Sequence, residues 1–288
     1  MHAEHKKEVV VLIMAYRSEL SEFEKISLRQ CLKVLKDHPI AIVKPASSTV
    51  ESWDLEGVSV TQENFPDKYF KSVGSYSRLL LSVDFYKRFS NYKYMLIHQL
   101  DAFVFKDELS QWCKRDFDYI GAPWFENFSP DNDKAEFIRG GNGGFSLRKI
   151  SSHQRVLRSF SYISRPVENW KFRMANRQSG RSIFAEFSGL LLDMVVRNNT
   201  FWMLNSFKGF EDQFWCLVAA RNFEWFTLPD PQEELKFAFE MQPARMYRLN
   251  NFELPFGCHA WWKYDLQFWK PWFEKQGYTI NDKTISGN

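Results

Sequence analysis

YMLIHQLDAFVF, residues 94–105, is the stretch that decides the fold. Tyr94 to Ile97 form a short apolar run, His98 to Asp101 its polar exit, and Ala102 to Phe105 a second apolar run. A buried strand ending in an acid is the pattern of an α/β sheet, in which ligands bind beyond the carboxyl ends of the strands. Asp101 is therefore the first candidate site residue, placed to face a phosphate-metal complex. An acid after a strand also serves as a turn or helix-cap residue, and that reading stays open from the stretch alone.

Working outward, Val9 to Ala15 is a continuous apolar run rich in β-branched residues, as in a strand buried on both faces of a parallel sheet. Leu28, Cys31, Leu32 and Leu35 follow at helical spacing, and Ile40 to Val43 read as a second strand, giving a β-α-β opening. Tyr16 and Arg17 leave the first strand where such a fold meets a nucleotide base or phosphate, although Arg17 reads equally as an exposed turn residue. Tyr76, Leu79, Leu80, Val83 and Tyr86 share one helical face, with Ser75 available as a cap. Asp118 to Trp124 read as another short strand ending in a turn, and Phe125 to Phe137 as a polar loop suited to a lid or an acceptor.

Three downstream segments carry chemistry-bearing residues. GGNGGFSLR, residues 140–148, flanks Asn142 with glycines whose bare backbone can approach a ligand, and the Asn142 amide can meet a sugar hydroxyl. Its spacing fits neither the dinucleotide nor the phosphate-loop fingerprint, and a plain glycine-rich hairpin is the alternative. In GFEDQFW, residues 209–215, Glu211 and Asp212 open a helix whose apolar positions are Phe214, Leu217 and Val218. Acids at a helix start are capping residues or, held ionised, general bases. In PFGCHAWW, residues 255–262, His259 follows a small-residue turn and reads either as a structural histidine or as a ligand with one nitrogen free for a metal.

Taken in order, HQLDAF, GGNGGFSLR, GFEDQFW and PFGCHAW resemble the stations of GT-A-type glycosyltransferases. The chain resembles a bacterial family of glycosyltransferase-like domains of originally unknown function, over about residues 8–265. The chain also resembles inverting β-galactosyltransferase-like enzymes, whose D-x-D, Gly-Gly and G-G-E-D-D stations come in this order. The resemblance implies an α/β fold with a GT-A-like, Rossmann-type mixed sheet flanked by helices and an elaborated C-terminal part. It implies a single domain over residues 1–288, with a nucleotide-sugar-binding half over about 8–148 and an acceptor-binding half over about 149–288.

Carried over residue by residue, Asp101 matches the second acid of the D-x-D motif, while Gln99 stands where the first acid would be, which weakens the metal site. The resemblance makes Asp212 the catalytic base and Glu211 its neighbour on the acceptor or sugar. It makes His259 the late-chain histidine completing the metal site with Asp101. Tyr16, Arg17, Arg78, Gln99, Asp101, Asn142, Gly143 and Gly144 would bind the donor, although Arg78 reads first as a surface residue of an amphipathic helix. The implied cofactor is Mn²⁺ or Mg²⁺, and the implied reaction is transfer from a nucleotide sugar, UDP-sugar favoured, to a glycan or lipid-linked acceptor in surface polysaccharide synthesis, with inversion. The rival reading is a non-catalytic nucleotide- or glycan-binding module of the same fold. A sugar-phosphate nucleotidyltransferase is disfavoured, because no glycine- and arginine-rich loop follows the first strand.

Composition bounds these readings. The 288 residues carry 25% charged and 44% hydrophobic side chains, ordinary for a globular protein, with a high aromatic share of 17%. A formal charge of +3 and the lack of any nucleic-acid motif argue against a nucleic-acid partner. Cys31, Cys113, Cys216 and Cys258 are scattered, with no C-x-x-C pair, and no apolar run reaches spanning length. Thiols of this kind without a leader lead to the expectation of a cytoplasmic protein, peripheral at the inner membrane. Arg165, Lys171, Arg173, Arg177 and Arg181 are a solvated face or an anion-binding cluster. The aromatic and basic tail from Trp261 to Lys275 is read first as core, with sugar stacking or membrane-surface contact as alternatives.

Overall fold

The computed structural model describes residues 6–128, 134–159, 188 and 199–280. β1 (Lys7–Met14), β2 (Ile40–Pro45) and β3 (Val60–Phe65) run parallel and in sequence to one side. β4 (Tyr92–Gln99) then returns to the other side of β1, also parallel to it. The sheet is completed by β9 (Phe145–Lys149) and β6 (Tyr119–Ile120), both in antiparallel ladders, in the order β3-β2-β1-β4-β9-β6. The fold is thus α/β with a six-stranded mixed sheet, as expected.

The reversal between β1 and β4 opens a crevice at their carboxyl ends, where Met14 pairs with Gln99. Tyr16, Arg17 and Asp101 therefore leave the sheet from the same edge. Because β9 is antiparallel to β4, its first residue Phe145 pairs with His98 and the preceding glycine loop arrives at that edge too. The Gln99 N–H donates to the Gly144 carbonyl at 2.8 Å, joining the two.

Helices cover both faces. α1 (Glu22–Leu35) buries Leu28, Cys31, Leu32 and Leu35 against the first face, as their spacing predicts. Its capping box is reciprocal: Ser21 Oγ accepts from the Glu24 N–H and Glu24 Oε2 from the Ser21 N–H. The single helix expected from Tyr76 to Tyr86 is instead two, α2 (Val73–Leu80) and α3 (Val83–Arg88). Ser82 breaks it, because its Oγ caps the second helix by accepting from the Phe85 N–H. Ser75 is not the cap of α2 but the third-residue partner of the cap Ser72.

α4 (Leu109–Lys114) and α5 (Ile150–Arg158) complete the inner helices, and a strand pair, β7 (Pro123–Phe125) with β8 (Phe137–Gly141), stands outside the main sheet. The expected strand at 118–124 is therefore split between β6 and β7. The glycine loop links β8 of this pair to β9 of the main sheet, so it is not a hairpin turn. A third sheet joins β5 (Phe103–Val104), β10 (Ala238–Phe239) and β11 (Gly257–Cys258). The basic cluster from Arg165 to Arg181 lies outside the described residues, as does part of the loop at 129–133.

The aromatic tail is core, as first read. Trp261, Trp269 and Phe273 are fully buried in a cluster with Phe103, Phe125 and Phe239. Phe273 stacks on Phe103 with ring centroids 4.0 Å apart. Phe273→Ala should therefore cost about 3–5 kcal/mol, read as a lower denaturation midpoint in urea. An unchanged midpoint would mean that the tail does not belong to the core. All four cysteines are buried and unpaired. Among the described residues no helix is long and apolar enough to cross a membrane.

Candidate active site

Four sequence-distant segments meet at the sheet edge. Asp101 follows β4, and β5 continues directly from it into an antiparallel ladder with β11, so Phe103 pairs with Cys258 and His259 falls beside Asp101. His259 Nε2 lies 3.1 Å from Asp101 Oδ1 and 3.2 Å from Gln99 Oε1. β10 runs parallel to β11, and Glu240, just past it, holds His259 Nδ1 at 2.8 Å. Asp101 and His259 are 8% and 7% exposed, so this is a nearly closed cluster. Lys263 Nζ reaches Asp101 Oδ2 from the solvent side at 2.6 Å.

Charge pairing overrides desolvation in this cluster. Burial disfavours the Asp101 anion, but His259 and Lys263 outweigh it and hold the carboxyl well below its usual range. Burial likewise disfavours a charged His259, yet Asp101 and Glu240 push the imidazole up to about 10. His98, buried on β4 with both ring nitrogens unpartnered, is driven down to about 4 by desolvation. It packs edge-on against Phe145 and reads as a core residue.

The glycine loop is squeezed between this cluster and the tandem acids. A Cβ on Gly144 would stand 2.0 Å from His259 Nε2. One on Gly143 would stand 2.3 Å from Glu211 Oε1 and 3.3 Å from Asp212 Cβ. Glycine is required at both positions by close approach. Asn142 Oδ1 accepts from the Gly144 N–H at 2.6 Å, so the oxygen of the amide is committed to the turn.

Glu211 and Asp212 begin the helix spanning 211–222, whose middle, Phe214–Ala219, is π-helical. The wider turn rotates the apolar face, so Phe214, Trp215, Cys216 and Ala219 are buried, whereas the expected Leu217 and Val218 are only half-buried. Asp212 Oδ2 accepts from the Gly143 N–H at 3.1 Å and Oδ1 from the Gln213 N–H at 2.8 Å. Burial first, and the adjacent Glu211 charge second, push the Asp212 carboxyl up to about 7. Both oxygens of Glu211 are taken by Arg148 at 2.7 and 2.8 Å, deep in the protein.

A cavity of about 450 Å³ opens on the Asp101 side, lined by Tyr16, Arg17, Tyr76, Gln99, Asp101 and Lys263 among others. Tyr16 and Tyr76 meet edge to face at 5.2 Å on its wall. Arg17 is held by Glu24 at 2.9 Å, so the capping box of α1 also orients one of the cavity's cations. Arg78, expected at the donor, points elsewhere: it donates to the Leu204 and Phe207 carbonyls at 2.6 and 2.7 Å, bracing the segment before Glu211. A larger recess of about 640 Å³ near Phe65 and Arg88 brings together none of the four segments.

Sequence reading missed three residues. Arg148 stood inside the quoted glycine motif, Lys263 stood four residues past His259, and Glu240 carries no local signal at all. Lys263 and the Trp262 beside it also bring the second half of the chain into the cavity assigned to the first.

Among the described residues no three His, Cys, Asp or Glu side chains converge as a metal cluster. His259 Nε2 lies within hydrogen-bond distance of both Asp101 Oδ1 and Gln99 Oε1, and Glu240 orients the imidazole from behind. Two oxygens and one nitrogen are donors of the kind that would hold Mn²⁺ or Mg²⁺.

The family model described as "Protein of unknown function (DUF5672)" matches residues 59–259. No curated protein matches the chain. Among solved structures, the galactosyltransferase LgtC, in complex with donor and acceptor sugar analogues, aligns at 12% identity with a TM-score of 0.44, over 95% of this chain and 98% of that one. Mouse xyloside xylosyltransferase 1, apo form, aligns at 12% identity with a TM-score of 0.47, over 88% and 97%.

Proposed function

We propose that this chain, which belongs to the DUF5672 family of proteins of unknown function, is a glycosyltransferase that moves a sugar from a nucleotide-sugar donor to an acceptor hydroxyl. One observation carries the reading: Gly143 and Gly144 are pinched between Asp212 on one side and the Asp101–His259 pair on the other. A bare backbone flanked by a half-neutral carboxyl and a polar cluster suits a sugar wedged between a base and a diphosphate.

In this mechanism Asp212 takes the proton of the acceptor hydroxyl, whose oxygen bonds to the anomeric carbon as the bond to the diphosphate oxygen breaks. The Gly143 N–H holds Asp212 in place for this step. Lys263 faces the leaving phosphates with positive charge, and Tyr16 and Tyr76 offer aromatic surface to the base. Asp101 and His259 would hold a divalent cation, which when bound stabilises the negative charge of the leaving group as a Lewis acid. A base opposite the leaving group favours inversion. A UDP-sugar donor and a glycan or lipid-linked acceptor of surface polysaccharide synthesis, met at the cytoplasmic face of a membrane, complete the proposal. The exposed Phe210 directly before Glu211 supports an acceptor with an apolar portion.

The general base must be ionised, so kcat/KM should rise as pH rises through about 7, following Asp212. A profile flat from pH 5 to 8 would exclude Asp212 as the base. The functional test is turnover of a panel of nucleotide sugars with Mn²⁺, Mg²⁺ or EDTA, in the wild type and in Asp101→Ala. Turnover lost in the variant supports the centre, and turnover unchanged removes Asp101 from it. A second reading, a binding module without chemistry, is favoured by Gln99 in an acid's place and by Lys263 already seated on Asp101. Nucleotide binding with no turnover of any donor would establish it.

A further inference from the structure

We propose that Arg148 is a positioning residue for Asp212, and that Glu211 acts as the counter-ion of Arg148 instead of contacting the acceptor. Only the kinetic arm of its test rests on the glycosyltransferase reading.

Strand alternation sends Ser146 and Arg148 of β9 to the face opposite Phe145 and Leu147, beneath α3 and the helix at 211–222. Arg148 is completely buried there. A buried guanidinium is costly unless every donor is matched, and each of its nitrogens is. Nε donates to Ser146 Oγ at 3.0 Å, Nη1 to Glu211 Oε2 at 2.8 Å and to the Tyr86 hydroxyl at 3.3 Å. Nη2 donates to Glu211 Oε1 at 2.7 Å and to the Gly143 carbonyl at 3.2 Å.

These contacts close a ring. Arg148 grips Gly143 and Glu211, Glu211 is joined through the chain to Asp212, and Asp212 accepts from the Gly143 N–H. Neither the glycine loop nor the helix start can shift without breaking a charge-assisted bond in the interior. A purely structural role does not need this arrangement, since apolar side chains of similar volume fill such sites at little or no cost in stability. Glu211 meanwhile has both oxygens engaged by Arg148 and is only 4% exposed, which turns it away from a substrate.

The ring also sets the field on Asp212. The groups facing it are Glu211 on its own turn, Glu240 from beyond β10, the neutral Tyr119 and Cys216, and Arg148 past Gly143. Glu211 raises the Asp212 carboxyl, and Arg148 is the cation paired with Glu211.

The test is a ¹³C-carboxyl NMR titration of aspartate-labelled protein, with the Asp212 signal assigned by its loss in Asp212→Asn. Glu211→Gln removes the anion and keeps the cation, so the Asp212 midpoint should fall by about one pH unit. Arg148→Met leaves Glu211 uncompensated and should raise it by a similar amount. Should Arg148→Met not fold, the double variant Arg148→Met with Glu211→Met replaces the pair by apolar groups, and its midpoint should fall as in Glu211→Gln. In that double variant kcat should drop at least tenfold while the Kd for UDP stays within about threefold, because the donor site is intact. Midpoints unchanged in both Glu211→Gln and the double variant would overturn the proposal, as would a double variant with wild-type kcat. A wild type that turns over no nucleotide sugar refutes the glycosyltransferase reading, yet the titration still decides the role of Arg148.

Discussion

Asp212→Asn is expected to lower sugar transfer about 10³-fold, the scale of a lost general base, with UDP affinity nearly unchanged. The substitution keeps the volume and leaves one oxygen to accept from either the Gly143 or the Gln213 N–H, so the helix start stays in place at the cost of one hydrogen bond. What disappears is the carboxylate, the one group at this point that can take a proton from an attacking hydroxyl. The pH dependence gives a second signature. The residual rate of the variant should lose the rise through pH 7 that the wild type owes to Asp212. Comparable rates in the two proteins would move the base elsewhere.

Gly144→Ala should be nearly as damaging, lowering kcat/KM by about 100-fold or more. The added methyl would lie 2.0 Å from His259 Nε2, and neither side can yield without losing a hydrogen bond or ion pair. The imidazole is fixed between Asp101 and Glu240, and the Gly144 carbonyl is tied to the Gln99 N–H. The methyl therefore drives His259 off Asp101 and disturbs Gln99 with it. Gly74→Ala is the control, since its nearest neighbour would be Ser72 Oγ at an ordinary 3.9 Å. Steady-state kinetics of the two variants should separate them clearly, and a Gly144→Ala enzyme with the control's rate would show that the contact with His259 is idle.

The elements that carry long-range order were legible because their signals are local. The apolar run at Val9–Ala15 and the spacing of Leu28, Cys31, Leu32 and Leu35 depend on periodicity alone, and both became the elements they predict. The break at Ser82 was not legible from the shared face of Tyr76 to Tyr86, since a side-chain cap inside an apolar pattern leaves the periodicity intact. The π-helical turn after Asp212 was missed for the opposite reason: it changes the period, so a count by 3.6 put Leu217 and Val218 inside.

For the site, motifs supplied the participants and the topology supplied the meeting. Asp101, the two glycines, Asp212 and His259 were named from the chain. Their convergence depends on β1 and β4 lying side by side to their carboxyl ends and on β5 pairing with β11, neither of which any single segment encodes. Arg78 shows the limit of reading a role from a helix face, because its guanidinium reaches two carbonyls 126 and 129 residues away instead of the cavity. Glu240 shows the same limit from the other side. Its importance comes wholly from the parallel register of β10 with β11.

The most direct test of the central claim, one centre built from four distant segments, is a crystal structure with UDP and Mn²⁺ located by anomalous scattering. The account predicts the diphosphate against Gly143 and Gly144, the base between Tyr16 and the rest of the cavity wall, and the manganese peak shared by Asp101 and His259. UDP ordered in the recess near Phe65 and Arg88, with Asp101 and His259 remote from its phosphates, would contradict it.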